Sequence, residues 1–388
     1  MPLQPDFMSR FRPVPVPALT LLLAALPPCA WSGPTGGNVV SGAADITYGA
    51  TSTSVDQSSQ HTAIDWTSFN IGAGESVTFN QPNADSIALN RDFSGSASQL
   101  FGSLNANGNV FLVNSAGVLL GAGASINVGG LLLTDLAVTD EDAAAFATNA
   151  AASGWSLALS DQDLAAGGIE ILGSVYSSGA NGITLAGQYL YIEGEVISTG
   201  VADDPGGNLQ LLAAGSTVLV ADASGLLGME ITGPVAQLLP GRESLFEIPD
   251  TVTGTAVQAV NGGVTLEVAY EENAPVAASP WAPGINFPGT AVSSIGDGSY
   301  ITYSARAFPR TVTLSREDAD ALENIVDEAQ DPKTEGTGAV SDNQITPTVT
   351  VDQLLGNCEP QAEQDADCRR QNAIKRYLGR LLIGGGLP

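Results

Sequence analysis

The sequence predicts an all-β chain wound as a parallel β-helix, and three observations carry that prediction. From about Asn38 to Val268, short β-prone runs alternate with Gly, Asn, Ser and Asp turns. Ile-led runs closed by Gly recur at Ile169, Ile183, Ile192 and Ile231, with related apolar runs at Val110, Val118 and Val218. Two or three such strands fill a turn of roughly 20 residues. Between residues 13 and 305 the chain carries only two basic side chains, Arg91 and Arg242, so Lys/Glu-laced helices are not what stabilises it. A stack of short coils, each stable only on its neighbours, satisfies all three. A β-sandwich is the main competitor; a propeller would need a longer repeat than any found here.

Composition agrees. The 388 residues include 13 Lys+Arg against 41 Asp+Glu, a formal net charge of −28, yet 44% are hydrophobic and only 14% charged. A disordered polyanion lacks that apolar fraction. A nucleic-acid binder needs clustered Lys and Arg, so no nucleic-acid partner is expected.

The elements follow in order. Residues 1–32 read as a signal peptide: Arg10 and Arg12 precede the apolar run from Ala18 to Leu26, Pro27 and Pro28 break it, and Ala30-Trp31-Ser32 offers small residues for cleavage after Ser32. The run is too short to span a bilayer, and no later stretch qualifies, so the mature chain is expected to have no transmembrane span. Leu26-Pro27-Pro28-Cys29 is a poor lipid-attachment box. Residues 33–270 form the expected β-helix, interrupted where Thr139 to Ala147 reads as a short helix or protruding loop with acids at its N-terminal end. Residues 271–314 read as a Pro-rich connection, with Pro275, Pro280, Pro283 and Pro288, followed by a strand from Ser299 to Tyr303.

Residues 315–388 form a C-terminal region with two amphipathic helices. Ser315-Arg316-Glu317-Asp318 resembles a capping box, and the helix it opens carries Leu322, Ile325, Val326 and Ala329 on one face. The second helix covers about 366–383, with Ile374, Tyr377, Leu378, Leu381 and Leu382 on its apolar side and Gly384-Gly385-Gly386 at its end. Just before it, Cys358 and Cys368 form the expected disulfide of an exported chain, a small loop contributing on the order of 2.5–3 kcal/mol. This end reads either as a cap over the open β-helix or as a knot that jams in a translocator and retains the protein at the surface.

At residues 66–136 the pattern becomes specific. Trp66-x-x-Phe69-x-Ile71 leads into Val77-x-Phe79-x-Gln81-Pro82. Ala88-Leu89-Asn90-Arg91, Ser98-x-x-Phe101-Gly102-x-Leu104, Ala106-Asn107-Gly108-x-Val110-Phe111-Leu112-Val113-Asn114 and Gly117-Val118 follow, and Ala124-x-Ile126-Asn127-Val128-Gly129-Gly130-Leu131 closes the series. This resembles the secretion, or haemagglutination activity, domain of filamentous-haemagglutinin-like exoproteins of two-partner secretion, over roughly residues 36–140. The resemblance implies a right-handed, single-stranded parallel β-helix with an N-terminal cap. It also implies export through the periplasm of a Gram-negative bacterium, and a dedicated outer-membrane β-barrel translocator that threads the chain out to the surface or medium.

The positions expected to carry secretion and translocator recognition are Asn80, Gln81, Pro82, Asn83, Asn90, Arg91, Asn105, Asn107, Gly108, Asn114, Gly117, Gly129 and Gly130. Two departures stand out. The first family Asn-Pro motif reads Asn80-Gln81-Pro82-Asn83 here. The second, usually Asn-Pro-Asn-Gly, reads Asn114-Ser115-Ala116-Gly117, whose turn is less rigid without proline. The same resemblance implies a surface or released adhesin, expected to bind a host or matrix carbohydrate or protein receptor. The alternatives are a carbohydrate-active β-helix enzyme and a small secreted effector.

No catalytic residue, cofactor or metal is assigned. His61 is the sole histidine, so triad chemistry would rest on one residue, better read as a side chain of a capping strand. Candidate carboxylate pairs are Asp161/Asp163, Glu193/Glu195, two apart and therefore on one face of a strand, and Asp203/Asp204, better read as a turn. Asn90-Arg91 reads as a charged hydrogen bond ordering the cap in preference to a partner contact. Asn105, Asn107, Asn114 and Asn127 read as stacked amide ladders.

Overall fold

The structure is a computed structural model that describes residues 33–150, 154–160, 167–200, 207–221, 227–235, 238–272, 274–296, 299–309, 311–313 and 348–350. The expected signal peptide, the pairs Asp161/Asp163 and Asp203/Asp204, Cys358, Cys368 and both expected C-terminal helices lie outside the described residues.

Among the described residues three sheets, parallel except for one cap strand in each of the larger two, stack as a β-helix: a first sheet of nine strands, a second of six and a third of nine. One coil shows how the sequence makes them. Asn109–Val113 lies in the first sheet, Val118–Leu120 in the second, Ser125–Val128 in the third, and Gly130–Thr134 returns to the first. Gly130 then stands over Asn109, one coil on. Tight corners at Asn114–Gly117 and Gly121–Ala124 separate the strands. Alternation places Val110 and Leu112, Val118 and Leu120, and Ile126 and Val128 inside, where they join one continuous core from Val55 to Val292. Each fully buried side chain of this kind stabilises by roughly 1.5–3 kcal/mol.

The N-terminal cap is antiparallel. Asn38–Ser41 pairs antiparallel with His61–Trp66, and Ala44–Tyr48 with Ser52–Gln57. The cap closes the first coil, whose core contains the edge-to-face pair Trp66 and Phe69, 5.4 Å apart.

Two features depart from the sequence reading. Val218 and Ile231 are not rungs. They belong to Ser216–Ala221 and Leu227–Gly233, which form with Ser156–Ser160 a separate antiparallel sheet. The reason lies in the first sheet, which is apolar on both faces. Phe111, Val113, Leu132, Ala186 and Leu212 point away from the inner core and need cover. Phe146 of the helix Asp140–Asn149 and Leu157, Leu159, Leu219, Met229 and Ile231 of the small sheet supply it, making a second core. Nor do the coils stop at 270. Ile285–Asn286, Val292–Ile295 and Tyr300–Phe308 add one more parallel rung, so the Pro-rich stretch lies within the coiled body. Short, single-sheet alternation cannot reveal either fact, because a flanking strand and a rung have the same period.

Candidate functional site

The helix Asp140–Asn149 begins at Thr139, whose hydroxyl accepts from the Asp142 N–H, as expected of an N-cap before three acids. It seats against the cap by Phe146 and by the Ala147 N–H, which donates to Ser41 Oγ at 3.0 Å. Arg91 fixes its first turn. The buried guanidinium grips Asp65 through Nε and Nη2 at 2.7 and 2.8 Å, and Nη1 reaches Asp140 at 2.9 Å and the Val138 carbonyl at 3.1 Å. Burial works against the charge, but the two carboxylates outweigh it and raise the Arg91 pKa. Asn90 is also interior: it accepts from the Trp66 indole at 2.9 Å and donates to the Ala88 and Phe111 carbonyls.

The first motif is a corner that staples consecutive coils. Gln81 is buried, with its amide donating to Gln57 Oε1, the Ser86 carbonyl and the Asn109 carbonyl, while its oxygen accepts from the Gly108 N–H. A side chain at Gly108 would collide with Gln81 and the Ser86 and Asn83 carbonyls, which is why glycine stands there; Gly129 and Gly130 repeat the close approach one coil on. The backbone of Gln81 and the Asn107 amide exchange two hydrogen bonds, 2.7 and 2.8 Å. Pro82 and Asn83 are exposed at the corner, where Asn83 accepts from the Asp85 N–H and pairs with Gln60.

The second motif closes without its proline. The Gly117 N–H donates to the Asn114 carbonyl at 2.8 Å, and the Asn114 side chain accepts from the Ala116 N–H. Its amide donates to Asp92, the Ser96 carbonyl and Ser98. Gly117 has φ 105°, a conformation that favours glycine. Asparagine bonding and glycine thus do the work of the missing ring.

The predicted residues therefore divide. Gln81, Asn90, Arg91, Gly108, Asn114, Gly129 and Gly130 are interior, and Asn114 lies apart from the other asparagines. Asn105, Asn107 and Asn127 face outward with Asn80 and Thr78, lining one shallow groove of about 580 Å³ on the third sheet. Register makes this a stripe. Ser54, Thr78, Asn105, Asn127 and Tyr176 stack on successive rungs, beside a column of Ser52, Ser76, Ser103, Ser125 and Ser174. It is uncharged along most of its length. The Ser-x-Ser/Thr/Asn repeat that encodes it was present in the sequence but is hidden by unequal loops.

The carboxylates do not converge. Glu193 follows the strand Leu190–Ile192, whereas Glu195 opens the strand Glu195–Ser198 of another sheet. The corner between them breaks the expected common face. Tyr191 donates to Glu193 and Tyr176 to Glu195, at 3.2 and 2.7 Å. The Tyr176 phenol is raised by that bond to Glu195, and the Tyr191 phenol by burial and then Glu193. Arg242, the other central cation, lies over the Tyr189 and Tyr191 rings at 4.6 and 5.7 Å and between Glu170 and Glu247. Burial and Glu247 push the Tyr189 phenol far up. His61 is buried with Nδ1 unpartnered, edge-to-face with Phe146 at 6.2 Å, and burial lowers its pKa. Among the described residues no group of three or more His, Cys, Asp or Glu could hold a metal ion, and no helix is long and apolar enough to cross a membrane.

Comparison with known proteins completes the picture. A heme/hemopexin-binding protein of Haemophilus influenzae strain KW20 / Rd is 46% identical over 101 residues, 26% of this chain and 11% of that protein. A second protein of that name from Haemophilus influenzae is 50% identical over 80 residues, 21% of this chain and 9% of that one. The chain thus matches about a tenth of the length of these curated relatives. The crystal structure of the HMW1 secretion domain from Haemophilus influenzae superposes with a TM-score of 0.50 at 23% identity, covering 71% of this chain and 64% of that one, a likeness of fold. Residues 32–228, more than half of the chain, match the model of the TPS (two-partner secretion) secretion domain, and the chain belongs to that family.

Proposed function

We propose that this chain is an exoprotein whose N-terminal coils are recognised by an outer-membrane β-barrel translocator, and that the asparagine stripe on the third sheet makes the contact. The observation that carries this reading is the division of the motif residues. Those that are buried hold the coils together, while Thr78, Asn80, Asn105, Asn107 and Asn127 share one outward groove. Amide side chains both donate and accept, so a stripe of them can pair with the extended backbone of another chain without charge. After export the protein acts as a surface or released binding protein, an adhesin for a carbohydrate or protein receptor; this reading is preferred to an enzyme because Glu193 and Glu195 sit beside different sheets, each bonded by a separate tyrosine, and do not form a pair.

The test is Asn105→Arg with Asn127→Arg, assayed by secretion into the medium from cells carrying the translocator. Both positions face outward, so the melting temperature should be unchanged while secretion falls at least ten-fold. Normal secretion of the double variant sinks the assignment of the stripe; normal secretion without any translocator sinks the export reading.

A further inference from the structure

The described coils end on an open face. The last rung consists of Ile285–Asn286, Val292–Ile295 and Tyr300–Phe308, each at the edge of its sheet. Ile301 and Tyr303 stand in register with Val264 and Leu266, which have no exposure, yet are themselves 40% and 44% exposed. Of the six exposed large hydrophobics among the described residues, Ile295, Tyr300, Ile301 and Tyr303 all lie on this rung. Trp281, stacked on Phe287 at 4.5 Å and edge-on to Tyr303 at 5.6 Å, covers only part of it. A nine-residue edge strand with apolar side chains is a template for aggregation unless something covers it.

We propose that the occupant is the segment of about 366–383 of the same chain, folded as an amphipathic helix that caps this end. Its apolar residues Ile374, Tyr377, Leu378, Leu381 and Leu382 repeat at helical spacing and form one stripe. Its charge is complementary: residues 366–388 carry five basic side chains against Asp367, whereas residues 33–313 carry 26 acidic and four basic. The chain path also leads there. Thr311–Thr313, a few residues past the last strand of the rung, pairs antiparallel with Thr348–Thr350, which returns the chain to within a few residues of where that strand ends. The roughly 15 residues that follow can reach about 50 Å when extended, and a helix of about 18 residues is about 27 Å long. The polar side of such a helix then supplies the solvent-facing surface that a terminal repeat requires.

The experiment compares amide exchange at residues 300–308 in the full chain, in a chain lacking residues 351–388, and in Leu378→Asp/Leu381→Asp, with residues 130–134 as internal control. Exchange at 300–308 should be at least ten-fold faster in both altered chains while the control is unchanged. In a Cys358→Ser/Cys368→Ser background, Tyr303→Cys with Leu378→Cys should cross-link within one molecule. Equal exchange in all three chains together with no cross-link overturns the proposal. So does protection of 300–308 that appears only with concentration-dependent dimerisation, which makes a second copy the occupant.

Discussion

Gln81→Met tests whether the first motif is a structural staple. Methionine nearly matches glutamine in shape, so the packing volume is kept while the polar bonds go. Four are lost: three donated by the amide, at 3.3 Å to Gln57, 3.1 Å to Ser86 and 3.1 Å to Asn109, and one accepted from the Gly108 N–H at 3.0 Å. They do not count equally. The Ser86 carbonyl still accepts from the Asn109 backbone and side chain. The Gly108 N–H, by contrast, loses the side chain that accepts from it, and an orphaned buried group costs about 1–3 kcal/mol. With the weakened Asn109 and Gln57 contacts, the expected loss is about 2–4 kcal/mol. Gln81→Glu should be worse at neutral pH, because a carboxylate would face two carbonyl oxygens. Its folded-state pKa would rise above the ordinary 4.3 or so, so its stability should recover as pH falls toward that value. Asn83→Ala, at the exposed end of the same motif, should cost under about 1 kcal/mol. The assay is urea unfolding read by amide exchange in the strand Ile87–Asp92, since a solenoid need not unfold in one step. A loss below about 0.5 kcal/mol for Gln81→Met, or an equal loss for Asn83→Ala, would refute the reasoning.

Arg91→Met should destabilise by about 2–4 kcal/mol, because it strands the carboxylate of Asp65. Asp140→Asn should cost less than about 1 kcal/mol, since Asp140 is exposed to solvent and screened; urea midpoints for the two variants check this ordering. Burial lowers the folded pKa of His61 below 6.5, so the unfolded chain binds the proton more readily. Stability should be constant above 6.5 and fall as pH drops below it, and His61→Phe should abolish that slope in melting curves. Gly117→Ala should cost about 1–2 kcal/mol, measured as a drop in melting temperature, because an L side chain is strained at φ 105°. Replacing Cys358 and Cys368 with Ser should leave partitioning between cells and medium unchanged if that end is a cap; a shift into the medium would show retention instead.

Much of the architecture was legible because a rung is a local event. Asn109 to Val113 reads as a strand, Asn114 to Gly117 as a turn, and their recurrence after about 20 residues as a coil. The interior role of Asn90 and Arg91 was also accessible, since a lone cation in an acidic chain needs a partner. The flanking sheet was not, because Val218 and Ile231 alternate just as a rung does, and only the apolar outer face of the first sheet shows that they are needed elsewhere. The outward stripe was not recognised either. Its residues are separated by loops of different length: Thr78 lies 24 positions after Ser54, whereas Tyr176 lies 49 positions after Asn127.

By itself the sequence determined the class of fold, the family and the corners, since turn chemistry and side-chain alternation act over a few residues. Only the tertiary structure decided which asparagines are buried as braces of the corners and strands, as Asn90 and Asn114 are, and which stack in register facing outward, as Asn105 and Asn127 do. That depends on register between strands distant in sequence, and a shift of one residue in register would exchange the two faces.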